Sequence, residues 1–122
     1  MNISDLKAAL QTVHEVEHPL DGPTGFKITL ASAEHPATKR AIREALDRRM
    51  RTKGAPSLDD DEAEGIKILV ARTLGWEGLE DDGEPVPFTP ESAQALYSQD
   101  GHLWLRKQLM AALGDETLFF SR

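Results

Sequence analysis

His14, Glu15, Val16, Glu17 and His18 spell H-E-x-x-H. In that pattern two imidazoles on one helix face bind zinc and the glutamate between them serves as general base. The chemistry depends on the backbone beneath it. On a helix, residues four apart rise about 6 Å and share a face, so both rings reach one ion. On a strand the same residues lie about 13 Å apart, too far to chelate. Pro19 directly follows His18 and disfavours helical geometry at that second ligand. His35, His102 and distant carboxylates offer a third ligand, none at a recognisable spacing. A zinc-dependent hydrolase using His14, Glu15 and His18 is therefore conditional on a helix at 14–18. A polar strand or helix end with two surface histidines is the favoured reading.

Other chemical templates are weaker. The chain has no G-x-S-x-G elbow, no phosphate-cradling glycine loop and no paired-glycine dinucleotide fingerprint. Asp59, Asp60 and Asp61 lack the spaced ligands and following glycine of a calcium loop. Cysteine is absent, which removes disulfides, thiolate zinc sites and cysteine nucleophiles and fits a reducing compartment. No catalytic, cofactor-binding or metal-binding residue is expected.

Charge points toward surfaces instead. The formal net charge is −7, which repels phosphates over most of the surface. Against it stands a basic block of Lys39, Arg40, Arg43, Arg48, Arg49, Arg51 and Lys53, followed at once by Asp59, Asp60, Asp61, Glu62 and Glu64. The basic block lacks interleaved aromatics, so nucleic-acid binding by a helix at 39–53 is a minor alternative.

The elements that must carry these residues suit one domain over 1–122. Ser4 to about Val16 has Leu6, Ala9, Leu10 and Val13 at helical spacing, although TVHEV reads equally well as extended. Phe26, Ile28 and Leu30 alternate with Lys27 and Thr29 as a half-buried strand. Helices are expected at about 36–52, 58–74, 90–97 and 101–113. The first is opened by Pro36 and stopped by Gly54-Ala55-Pro56, the second is capped by Ser57, and the third is opened by Thr89-Pro90-Glu91. The acidic run then lies at a helix start, where carboxylates meet the positive end of the dipole. The expected fold is α+β and mainly α-helical, with four to five helices and a small β element near the N-terminus. Its core is expected to contain Ile42, Leu46, Ile66, Leu69, Val70, Leu105 and Leu109. No apolar run is long enough to span a bilayer, and no secretory signal is visible at the N-terminus.

Between the second and third helices, GWEGLEDDGEPVPFTPES places Trp76, Val86 and Phe88 among carboxylates, prolines and glycines. Large aromatics in a loop either tuck under it or serve as anchors, and burial is the commoner outcome. The same choice applies to Trp104 and to Phe119-Phe120.

This connector resembles the tail assembly chaperones of long-tailed double-stranded-DNA phages. Trp76, Gly78, Asp82, Gly83, Pro85, Phe88, Thr89, Pro90 and Glu91 occupy the places of that family's pattern: Trp-x-Gly, an acidic stretch, Asp-Gly-x-Pro, an apolar residue and a Thr/Ser-Pro-Glu helix start. Upstream, Thr24-Gly25-Phe26-Lys27-Ile28 and a basic helix with Arg48-Arg49 look like its first half. The likeness covers about 24–120 and leaves 1–23 outside it. The resemblance implies a non-enzymatic protein of the bacterial host cytoplasm that holds the tape-measure protein and helps recruit tail-tube subunits. It also implies a protein usually absent from the finished virion, and in many members a longer frameshifted product. The candidate partner surface is Trp76, Phe88, Arg48, Arg49, Phe119 and Phe120. Complementary basic and acidic helices also suit head-to-tail self-association into a homo-oligomer.

Overall fold

The structure is a computed structural model that describes residues 1–120. Its centre is a three-stranded antiparallel sheet of β1 (Gln11–His18), β2 (Gly22–Ala31) and β3 (Thr73–Glu77), with β2 in the middle. The alternation at Phe26, Ile28 and Leu30 turns those side chains to one face, where all three are buried, while Lys27 faces out. Helices α1 (Pro36–Arg51) and α2 (Leu58–Arg72) are inserted between β2 and β3. After β3 come a two-strand hairpin, β4 (Glu80–Asp81) and β5 (Glu84–Pro85), then α3 (Pro90–Ser98) and α4 (Leu103–Gly114). Short 3-10 turns at Ile3–Leu6 and Glu116–Phe119 stand at the two ends.

One core joins the sheet to three helices: Val16, Phe26, Ile28 and Leu30 meet Ile66 and Leu69 of α2, Ala93 and Tyr97 of α3, and Leu105, Leu109, Ala112 and Leu113 of α4. The α+β class holds, with half the chain helical and 22% in strands. No helix among the described residues is long and apolar enough to cross a membrane.

Several expectations are corrected. The helical spacing over Ser4–Val16 does not give a helix; a turn at Ile3–Leu6, with no buried residue, leads into β1. Here period two wins, because Thr12, His14 and Val16 face inward and the backbone of Gln11–Glu15 pairs in register with Lys27–Ala31. The strand expected around 26–30 runs the full length of Gly22–Ala31. The second helix ends at Arg72 rather than 74, since Thr73 and Leu74 open β3 opposite β2.

The connector also has structure of its own. Asp82 and Gly83 both take positive φ, 49° and 83°, between β4 and β5, the backbone of the tight turn that Asp-Gly favours. Two expected core residues are not core: Ile42 is 44% and Leu46 58% exposed. Helix α1 buries its small side, Thr38 and Ala41, and the Thr38 hydroxyl donates to the Ser32 carbonyl at 2.7 Å. Val70 is half-buried against the core rather than within it.

Candidate interaction surfaces

The H-E-x-x-H residues lie on β1, so the helix that zinc chelation requires is not there. Each member has another partner. His14 Nε2 lies 2.9 Å from Gln108 Oε1, Glu15 accepts from the Gly25 amide at 2.9 Å, and His18 Nδ1 accepts from the Leu20 amide at 3.1 Å. The His18 ring also packs edge-on to Trp104, centroids 5.5 Å apart. Among the described residues no group of three or more His, Asp or Glu side chains is placed to hold a metal ion. The conditional zinc reading ends on this strand.

Trp76 and Phe88 come together, but beneath the connector. Trp76 stands edge-on to Phe26 at 5.7 Å and to Phe88 at 5.1 Å, and its indole N–H donates to the Val86 carbonyl at 2.9 Å. All three rings join the core or pack against it. Gly78 fixes the loop's path: at φ 86°, a Cβ there would run into the Gly25 carbonyl of the neighbouring strand β2. Thr89 caps α3 by accepting from the Ser92 amide at 2.9 Å.

The other candidate residues are scattered. Arg48 pairs with Glu64 through two bonds, its Nε at 3.1 Å, and the guanidinium holds the Glu64 carboxyl below the usual carboxylate range. Arg49 is exposed at the end of α1. Phe119 is buried, whereas Phe120 is 49% exposed beside the N-terminal residues Met1–Ala9. The acidic run caps α2 as expected. Ser57 Oγ accepts from the Asp60 amide and Asp60 accepts from the Ser57 amide, both at 3.1 Å. The Ser57 amide, and after it the Ser57 hydroxyl, keep the Asp60 carboxyl low.

Two apolar surfaces go beyond the residues singled out by sequence. Ile42, Leu46 and Met50 form an exposed stripe along α1, with Met50 85% exposed. A groove of about 480 Å³ runs between α2 and α4, floored by Ile66 and Leu69 and walled by Leu103 and Met110, with Glu62, Arg106 and Lys107 at its rim. The Arg106 guanidinium donates to Glu62 at 2.8 Å and to the Tyr97 carbonyl at 2.6 Å, so that rim is built. The signal for the groove was present: Leu103 and Met110 are seven apart and share a face of α4 distinct from that of Leu105 and Leu109. Arg72 is a different case. Its Nε donates to the Ala31 carbonyl at 3.1 Å, its Nη2 is buried with no partner among the described residues, and burial pulls its pKa down. No protein-family model matches this chain, and neither the curated proteins nor the solved structures contain a significant match.

Proposed function

We propose that this chain is a non-catalytic assembly chaperone of phage-tail morphogenesis, holding the tape-measure protein in the host cytoplasm and helping to recruit tail-tube subunits. The supporting observation is the apolar stripe of Ile42, Leu46 and Met50 on α1. A helix that packs inward through Thr38 and Ala41 while presenting three large aliphatics outward suits reversible cover by a partner helix. Net acidity keeps such a surface dispersed in the meantime. The resemblance of the Trp76–Glu91 segment is what suggests a tape-measure client, and the exposed stripe supports a surface for a partner helix. Self-association belongs to the same proposal. Because Arg48 and Glu64 pair within the chain, a head-to-tail contact between helices would draw on Arg40, Arg43, Arg49 and Arg51 against Asp59 and Asp61.

The test is co-purification with a co-expressed phage tape-measure protein. Wild type is expected to keep that client in the soluble fraction, and Leu46→Glu with Met50→Glu to lose it while retaining helical circular dichroism. A client that stays insoluble with wild type, or binds the double variant equally, would overturn the reading.

A further inference from the structure

The sheet has an edge framed at both ends and open between them. The Ser32 amide donates to the Leu10 carbonyl at 2.8 Å, which turns the polar groups of Leu10 toward β2. Antiparallel alternation then turns Thr12 and His14 toward β2, and Ala9, Gln11, Val13 and Glu15 outward. Two outward contacts agree with that parity. The Ala9 amide donates to the Phe119 carbonyl at 2.6 Å. Past the irregularity between Glu15 and Glu17, the Gln108 carboxamide takes the place of a neighbouring strand: it accepts from the Glu17 amide at 2.9 Å and donates to the Glu17 carbonyl at 2.8 Å. Between these two caps, the outward N–H and C=O groups of Gln11, Val13 and Glu15 have no partner among the described residues. All three residues are exposed, Val13 to 60%.

We propose that this window pairs with the same window of a second copy, antiparallel about a twofold axis through Val13, joining two sheets into one of six strands. The register follows from the frame. Centred on Val13, Val13 faces Val13, and each Gln11 faces the other copy's Glu15, so every open group meets another open group. Centred on Glu15, Val13 would meet Glu17, which Gln108 already occupies, and two carboxylates would face each other. Centred on Gln11, Val13 would meet Ala9, which Phe119 already occupies.

The occupant is a second copy because the side chains are self-complementary. A carboxamide stands opposite a carboxylate twice, with the Glu15 oxygen that is not bonded to the Gly25 amide left to accept, and two exposed valines cover each other, which is the cross-strand chemistry that stabilises antiparallel pairs. Open edge strands, with their rows of unpaired N–H and C=O groups, are also surfaces prone to such pairing. This contact specifies a surface for the self-association named above. It stands on backbone geometry that holds whether or not a tape-measure protein is bound.

Sedimentation velocity of the purified chain alone, across a concentration series, tests it separately from client binding. A concentration-dependent dimer is expected. Val13→Lys, which sets two ammonium groups face to face on an exposed position, should leave a folded monomer. Gln11→Lys should tighten the dimer and Gln11→Glu weaken it, each by about 2- to 30-fold for two symmetric cross-strand pairs. A wild-type chain that stays monomeric at every concentration overturns the proposal. So does a dimer whose strength is the same in both Gln11 variants.

Discussion

Thr73 ties three elements together through one hydroxyl, which donates to the Leu69 carbonyl of α2 and lies 2.8 Å from the Tyr97 hydroxyl of α3. With its own hydrogen committed to Leu69, Thr73 accepts from the phenol. Tyr97 is fully buried, and burial pushes its pKa up to about 12. A raised pKa means the fold favours the neutral phenol. Its contribution to stability is complete below the unfolded value of about 10 and is lost as pH rises from there through about 12. Tyr97 is the only tyrosine, so tyrosinate absorbance reads one site. The native chain is expected to titrate near 12 and the urea-unfolded chain near about 10; a native titration at the unfolded value with the fold intact would contradict this burial. Gly78 and Gly83 allow a paired comparison at the same scale. Both sit at φ above 80°, but only at Gly78 would a Cβ meet backbone, the Gly25 carbonyl. Gly83→Ala should therefore cost about 1 kcal/mol for the left-handed backbone alone, and Gly78→Ala distinctly more, as read by urea denaturation.

At the scale of elements, α1 carries an apolar face as α2 and α4 do, but only theirs are covered. Leu69 is 1% and Leu105 3% exposed, whereas Leu46 is 58% exposed. Leu69→Ala or Leu105→Ala should cost about 2–5 kcal/mol in denaturation, and Leu46→Ala within about 0.5 kcal/mol. A cost at Leu46 equal to that at Leu69 would mean that α1 is buried by something, such as a stable partner. The contrast marks the limit of the sequence. Caps and stops placed α1, α3 and the start of α2 to within one or two residues, because Ser57, Thr89 and the prolines act locally. Periodicity marked an apolar face on α1 but not whether anything covers it, since that depends on contacts distant in the chain. Gln11–His18 carried both a helical and an alternating pattern, and only its pairing with β2 decides between them. The aromatics of the connector were legible as a cluster. Their inward direction was set by Phe26, fifty residues before Trp76, a partner that neither local stretch names.

For the whole molecule, the distribution of charge separates two ways in which copies could meet. The chain carries a net charge of −7, so copies repel at long range and added salt relieves that repulsion. Pairing at β1 joins backbone groups, valines and a carboxamide–carboxylate contact, with little to lose from screening. A head-to-tail contact between the basic end of α1 and the acidic start of α2 depends on the opposite effect, since its attraction is itself coulombic. From about 0.1 to about 1 M salt the Debye length falls from about 10 to about 3 Å, enough to remove most exposed charge–charge attraction. Association through β1 should therefore hold or strengthen across that range, and the helical contact should weaken steeply. Sedimentation at both salt levels, with Val13→Lys and with Arg43→Glu paired with Arg49→Glu, distinguishes them. Dimers that survive high salt and vanish only in Val13→Lys place the contact at the sheet edge. Oligomers that dissolve in salt and vanish only in the arginine variant place it between the helices.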